Sequence, residues 1–219
     1  MRRRRPLTGG LALASALAAV VLAGCGSGPD EAAADRAQPS SSGRTSSAAA
    51  SPDGTSRTSS ARTSPDRACP RLDRAQPRDD GLPDLELPCL EDGPAVNLAD
   101  LRGTPMVLNV WAAWCTNCDR EMPLFADAVD RAAGQVRFFG VHYKATREQG
   151  LASEDDFGVP FPSVHDGDGD RVVSGLGAYA PPQTFFVAAD GEVVGRKIGE
   201  ITSQDELDGL VERYLGVSL

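Results

Sequence analysis

The stretch that decides the fold runs from Met106 to Cys118 and reads MVLNVWAAWCTNC. Its first six residues are apolar except for Asn109, and this length and composition predict a buried central strand. The apolar residues that come next recur at helical spacing, and they predict a helix from about Cys115 to Ala133 whose buried face comprises Met122, Phe125, Ala126, Val129 and Ala133. The Cys-x-x-Cys pair therefore lies where a strand passes into a helix.

This placement favours redox chemistry at the cysteine pair. Free N–H groups and the positive dipole end of a helix N-terminus stabilise a thiolate, which is the nucleophile in disulfide exchange. Cys115, nearer the tip, is predicted to attack a partner disulfide, and Cys118 to resolve the mixed disulfide. The alternative is an inert structural disulfide.

Strands and helices alternate on both sides of this stretch. We predict a hairpin around the turn at 91–94, a turn at Asp166–Asp170, strands over 136–141, 163–165, 183–188 and 193–198, and helices over 148–157 and after the capping pair Ser203 and Glu206. This order predicts an α/β sandwich with a central mixed β-sheet and an N-terminal β-hairpin extension.

The N-terminus has the features of an export signal. A basic cluster precedes an apolar run over residues 11–23, which is too short to span a bilayer. Cys25 follows Leu22–Gly24 in a stretch that resembles a bacterial lipobox, so we predict a lipoprotein signal peptide over 1–24 and lipidation of Cys25. The alternative is an ordinary signal peptide with a chance cysteine. Lipidation would place the protein on the extracytoplasmic face of the cell membrane.

Composition then separates a spacer from a globular domain. Residues 25–68 are rich in Ser, Thr, Ala and Pro, and no large apolar residue occurs between Gly26 and Ala68, which predicts a disordered tether. The domain is expected over 69–219. The formal net charge of −9 makes binding to nucleic acid through phosphates an unfavourable hypothesis.

The other cysteines suggest a second disulfide. If Cys25 is lipidated, four of the five cysteines remain in an oxidising compartment, and Cys69 pairs with Cys89 by elimination. We interpret this bond as structural. A zinc site formed by all four cysteines is the alternative, although zinc ribbons bring two close pairs and this chain has one.

Several segments together resemble a known family. Val110–Cys118 is similar to the active site of the thioredoxin fold, and Asp119–Pro123 resembles that of the exported TlpA/ResA-type thiol-disulfide oxidoreductases. Val96–Gly103 resembles the same family's lead-in, and Pro181–Val187 followed by Asp190-Gly191 resembles its cis-proline segment and final hairpin. The resemblance spans about Leu82 to Leu215 and implies a thioredoxin-like α/β/α sandwich.

The resemblance also implies roles for individual residues. Glu121 would be an active-site carboxylate that handles protons, with a helix-start acid as the alternative reading. Pro182 would be the cis-proline that presents backbone to an extended substrate. Trp114 and Pro181 are predicted substrate contacts, although a second proline before the cis-proline departs from the family pattern. Asn109 stands where cytoplasmic thioredoxins have a buried Asp.

The function implied is dithiol–disulfide exchange with partner proteins. Reduction is the favoured direction, for example reduction of apocytochrome c cysteines, and a membrane thiol reductase would supply the electrons. Neither a cofactor nor a metal is expected. Oxidation of secreted proteins is the alternative within this class, and a Sco-like copper chaperone using Cys115, Cys118 and His165, with His142 nearby in the pattern, is the alternative outside it. A peroxiredoxin-type Thr/Ser-x-x-Cys frame is missing, because Ala112 stands at the hydroxyl position.

Overall fold

The computed structural model describes residues 65–219. The signal peptide at 1–24, Cys25 and nearly all of the tether at 25–68 lie outside the described residues. The elements are strands β1 (Glu86–Leu87), β2 (Val96–Asn97), β3 (Met106–Trp111), β4 (Arg137–Tyr143), β5 (Ser163–Asp166), β6 (Gln183–Val187) and β7 (Val193–Ile198), and helices α1 (Thr116–Ala132), α2 (Arg147–Phe157), α3 (Asp170–Leu176) and α4 (Gln204–Leu215).

Five strands form the central mixed sheet in the order β5-β4-β3-β6-β7. β3 is parallel to β4, β4 is parallel to β5, and β6 is antiparallel to both β3 and β7. All six residues of β3 are buried, as its apolar run predicts for a central strand. The expected mixed sheet is therefore confirmed.

Helices cover both faces of this sheet. α1 connects β3 to β4, and α2 connects β4 to β5, so both crossovers run in the same direction along the sheet. Because such parallel connections are right-handed, both helices lie on one face of the sheet. On that face α1 also packs against α4. Phe185 projects to the opposite face, where the guanidinium of Arg196 lies over its ring and reaches the carbonyl of Gly177 at the end of α3. The sandwich architecture is confirmed.

The N-terminal segment covers both edges of the sheet. β1 and β2 pair as the predicted antiparallel hairpin. Just before it, Gly81 forms a bridge with Glu192, the residue that precedes β7, and just after β1, Cys89 forms a bridge with Val164 of β5. These contacts cap strand edges that would otherwise offer free backbone groups.

The structure corrects the predicted order of elements and the predicted buried face of the first helix. The residues after the predicted turn form the short helix α3, which begins at the left-handed Gly169 and has too few residues for a periodic pattern. On α1, Met122 and Phe125 are buried as predicted, but Ala126 and Val129 are half-buried, Ala133 is exposed, and the core face also includes Cys118, Glu121, Ala128 and Ala132. Arg67, within the segment 25–68 that is predicted as a tether, is also buried.

Candidate active site

Cys115 and Cys118 are joined by a disulfide at the N-terminus of α1, with their Cα atoms 5.2 Å apart. Cys115 is the N-cap residue, and its Sγ accepts a hydrogen bond of 3.2 Å from the backbone N–H of Cys118. Cys115 is 5% exposed and Cys118 is 1% exposed. The helix start therefore offers its free N–H groups to sulfur, as a thiolate at Cys115 would require.

An exposed aromatic rim lies beside this helix start. Trp114 is 56% exposed, and its indole Nε1 donates a hydrogen bond of 2.7 Å to the carbonyl of Lys144. Its ring centroid lies 6.4 Å from that of Tyr143, whose hydroxyl donates to the carbonyl of Tyr179 at 3.3 Å. Tyr179 is itself 75% exposed, so this rim presents apolar surface to a partner.

The segment before β6 reaches the same end of the sheet. Val110 pairs with Gln183, so Pro182 lies next to the end of β3 that leads into the cysteine pair. The peptide bond between Pro181 and Pro182 is cis. Pro182 is buried and Pro181 half-buried.

Glu121 lies one turn beyond Cys118 and is completely buried. Its Oε1 accepts a hydrogen bond of 2.9 Å from Asn109 Nδ2, and its Oε2 accepts one of 3.0 Å from the backbone N–H of Ile201. Burial raises the pKa of Glu121 to about 7, against the opposing effect of these two hydrogen bonds. The first-turn acid of α1 is Asp119, so the alternative reading of Glu121 as a helix-start acid is wrong.

The two histidines meet each other rather than the cysteine pair. Nδ1 of His142 lies 3.0 Å from Nδ1 of His165, and the rings are stacked. Burial lowers the pKa of His142 to about 3, so this ring is neutral at physiological pH. Between residues 65 and 219, the structure assembles no group of three or more His, Cys, Asp or Glu side chains suited to a metal ion. The copper set of Cys115, Cys118 and His165 is therefore not assembled.

A second disulfide joins Cys69 to Cys89, with a Cα–Cα distance of 5.9 Å. Both residues are buried, and Cys69 Sγ lies 3.5 Å from the carbonyl of Ser163. This pairing leaves Cys115 and Cys118 to each other, so the four described cysteines do not form the alternative zinc site.

A cluster of charged residues includes Arg67 and Glu91, which lie two positions from Cys69 and Cys89 in the sequence. Arg67 Nη2 lies 2.6 Å from both Glu91 Oε1 and Asp155 Oδ1, and its Nη1 lies 3.9 Å from Glu154 Oε2. Glu154 is completely buried, and burial raises its pKa to about 7 despite the nearby guanidinium. Sequence reasoning missed this cluster, because Arg67 lies in a stretch with the composition of a tether.

Comparison with known proteins identifies this arrangement. A match to the AhpC/TSA family covers residues 79–196, more than half of the chain. The chain belongs to this family. It is 33% identical to the thiol:disulfide interchange protein DsbE of Pseudomonas fluorescens biotype C over 60% of this chain and 72% of that protein. It is 34% identical to DsbE of Allochromatium vinosum over 63% of this chain and 77% of that protein.

A solved structure agrees with these relatives. A secreted Mycobacterium tuberculosis disulfide oxidoreductase, described as homologous to Escherichia coli DsbE, superimposes with a TM-score of 0.52 and 26% identity over 59% of this chain and 96% of its own. The AhpC/TSA domain described here is thioredoxin-like, and the protein is a thiol-disulfide oxidoreductase. No helix among residues 65–219 combines the length and apolar character needed to cross a bilayer.

Sequence reasoning did not find every residue that surrounds the site. Ile201 contributes a backbone N–H to Glu121 from 80 positions away, and no local pattern marks a backbone donor. Arg120 and Glu200 form an ion pair beside that contact, and each is an ordinary charged residue in the sequence.

Proposed function

We propose that this protein reduces disulfides of partner proteins on the extracytoplasmic face of the membrane, with apocytochrome c cysteines as the leading substrate. The observation that carries the proposal is the position of Cys115 as N-cap of α1 with Cys118 one turn along. The similarity to proteins named thiol:disulfide interchange protein supports it. A membrane thiol reductase would supply the electrons.

In the proposed reaction, the Cys115 thiolate attacks one sulfur of the partner disulfide. A mixed disulfide forms, and the other partner sulfur leaves as a thiolate. The Cys118 thiolate then attacks Cys115 Sγ, which forms the intramolecular disulfide and releases the second partner thiolate. Two electrons pass from the enzyme dithiol to the partner disulfide, and the disulfide present in this structure is the product state of that reduction.

Glu121 is proposed to take the proton that Cys118 loses before its attack. Cys118 and Glu121 are three residues apart on one helix and therefore neighbours on its surface. A carboxyl with a pKa of about 7 both accepts and releases protons near neutral pH, which is what a proton-transfer group needs. Its burial excludes bulk water from competing as the proton acceptor.

Trp114, Pro181 and Pro182 are proposed to contact the substrate. The exposure of Trp114 leaves its ring free to pack against an apolar side chain of a partner. Pro182 is proposed to present its backbone to an extended substrate, as the family resemblance implies, and Pro181 to contact the substrate beside it. They lie at the same end of the sheet as the cysteine pair.

The N-terminal segment is proposed to anchor the domain to the membrane, and the second disulfide to stabilise the domain. Lipidation at Cys25 would anchor the chain, residues 25–68 would act as the tether, and the Cys69–Cys89 disulfide would be structural. Replacing Cys25 with Ala should release the protein from the membrane or leave it unprocessed. A free, unmodified Cys25 on the mature protein, observed by mass spectrometry, would contradict the anchor.

Trapping of mixed disulfides tests the roles of the two cysteines. Cys118→Ser should accumulate partners linked through Cys115, because the resolving thiol is missing, whereas Cys115→Ser should trap far fewer. Equal yields from the two variants would contradict the assignment. A parallel set in the Cys69→Ser, Cys89→Ser background shows whether the second pair contributes any adducts.

The equilibrium potential of the Cys115–Cys118 pair tests the direction of exchange. A potential of about −270 mV, as in thioredoxin, supports a reductase, whereas a potential of about −120 mV, as in DsbA, supports an oxidase. Glutathione redox buffers with quantification of free thiols give this potential directly.

A further inference from the structure

The loop between β7 and α4 contacts the site with three consecutive residues, Gly199–Ile201. Their partners are, in order, the carbonyl oxygen of Pro182 at 3.0 Å, the guanidinium of Arg120, and Oε2 of Glu121 at 3.0 Å. Gly199 has a φ of +87°, a conformation that a residue with a Cβ atom rarely adopts. A glycine is therefore needed where the loop turns toward the site.

The Arg120–Glu200 ion pair is two-pronged. Arg120 Nε donates to Glu200 Oε1 at 2.8 Å, and Nη2 donates to Oε2 at 2.5 Å. Nη2 also donates to Asn117 Oδ1, between the two cysteines, at 2.6 Å. The side chain of Arg120 is 55% exposed and that of Glu200 only 15%, so the pair lies at the boundary between solvent and the packed interior.

This ion pair joins the same two segments as the hydrogen bond to Glu121. Arg120 precedes Glu121 on α1, and Glu200 precedes Ile201 in the loop. Loss of the ion pair would leave the hydrogen bonds of Gly199 and Ile201 and the buried side chain of Ile201 to hold the loop in place. Any outward movement of the loop would then admit water to the buried carboxylate.

We propose that the Arg120–Glu200 ion pair keeps the loop closed over Glu121 and thereby sets the pH range in which this carboxyl exchanges its proton. Arg120 and Glu200 are positioning residues in this scheme, since they act through Glu121. The inference rests on the proposed proton-handling role of Glu121, and it concerns how that role is controlled.

The closed loop would act by keeping Glu121 buried rather than by supplying a charge. The titratable and charged groups around Glu121 are Cys118 and Arg120 on α1, Glu200 in the loop, and Glu206 on α4 with its partner Lys197 on β7. The groups that contact it from β3 and β6 are the neutral Asn109 and, through Asn109, Thr184. Burial is the largest cause of the raised pKa of Glu121, and the two acids raise it further to a smaller extent.

Two substitutions separate burial from charge because their direct electrostatic effects have opposite signs. Arg120→Gln removes a positive charge, so by charge alone it should raise the pKa of Glu121. Glu200→Gln removes a negative charge, so by charge alone it should lower that pKa. If the ion pair excludes water, both substitutions open the loop. Opening also weakens the Ile201 hydrogen bond, which favours the carboxylate, but burial is the larger cause, so both substitutions should lower the pKa of Glu121 by about one unit.

The experiment is a carboxyl NMR titration of the whole chain, ¹³C-labelled at glutamate, with the Cys115–Cys118 disulfide intact so that no active-site thiol titrates. Loss of one signal in Glu121→Gln assigns that carboxyl. Glu154 has a similarly raised pKa and lies away from the loop, so its signal should not move and serves as an internal reference. Joint reversal, Arg120→Glu with Glu200→Arg, should restore the wild-type midpoint.

Asp208→Asn is the matched control. Asp208 on α4 forms a two-pronged ion pair with Arg131 on α1 and makes no contact with Glu121, so the midpoint of Glu121 should stay unchanged. Shifts of opposite sign in Arg120→Gln and Glu200→Gln, or no shift in either, would overturn the inference. Exchange rates measured on the same variants test the proton role separately, since that role fails if the rates do not follow the titration of Glu121.

Discussion

Asn109 donates a hydrogen bond from Nδ2 to Oε1 of Glu121 at 2.9 Å, and both side chains are buried between β3 and α1. The same amide nitrogen lies 3.2 Å from Thr184 Oγ1 on the neighbouring strand β6. A neutral donor thus orients the carboxyl without fixing its charge, which leaves Glu121 free to titrate near neutral pH.

Replacing this donor with an acid should couple two carboxyls. In Asn109→Asp, two buried acids would face each other, and they cannot both ionise at low cost, so stability should fall as pH rises through neutrality. Urea unfolding at pH 5 and pH 8 measures the change. Asn117→Asp makes the same substitution at an exposed position, and equal pH dependence in the two variants would contradict the coupling.

The raised pKa of Glu121 also predicts a pH dependence of stability. Between about pH 4.5 and pH 7 the folded protein holds a proton on Glu121 that the unfolded chain has lost, so this residue makes stability fall as pH rises through that window. The full contribution is about 3 kcal/mol. Glu121→Gln should remove this part of the slope. Glu154→Gln should remove a similar part independently, because the pKa of Glu154 is also raised to about 7.

Glu121 should also affect the thiols of the reduced enzyme. A nearby carboxylate disfavours a thiolate and raises the thiol pKa, while the helix N-terminus lowers it. Glu121→Gln should therefore lower the measured pKa of Cys115. Thiolate absorbance against pH reports the change, and an unaltered titration would show that Glu121 does not couple to this thiol.

The Cys69–Cys89 bond should contribute to stability rather than to exchange. It closes a loop with a sequence separation of 20, for which the chain-entropy model gives about 3 kcal/mol. The double variant Cys69→Ala, Cys89→Ala should lose about that much free energy of unfolding and retain exchange through Cys115 and Cys118. The bond should also resist mild reductants that open the Cys115–Cys118 pair. Peptide mapping that finds Cys69 joined to Cys115 or Cys118 would instead indicate an internal relay.

Arg67 should be necessary for the charge balance beside that disulfide. Arg67→Met would leave the buried carboxyls of Glu91 and Glu154 without their cation, at a cost of about 3–5 kcal/mol. The cost should be larger at pH 8 than at pH 5, since protonation of Glu154 relieves part of it. Arg74→Met, at a position whose side chain is 66% exposed, should cost less than about 1 kcal/mol.

The predicted and observed structures agree where the pattern is local and strong. The apolar runs that became β3 and β6, and the hairpin around 91–94, follow from composition and turn chemistry over a few residues. The capping pair was correct only in part, since Ser203 accepts from the N–H of Glu206 while the Glu206 side chain accepts from Thr202 instead of closing the box. The full capping box occurs on α2, between Thr146 and Gln149, and it was missed.

The sequence by itself determined the fold class, the strand that leads into Cys115 and the helix that begins there, because hydrophobic periodicity and helix-start chemistry act over a few neighbouring residues. Only the tertiary structure decided the surroundings of the charged groups. It placed Ile201 and Glu200 against α1, brought Arg67 to Glu154, and turned His165 toward His142. The physical reason is that burial and hydrogen bonding between distant residues set the energy of a charge, and no local pattern records which distant residues will meet.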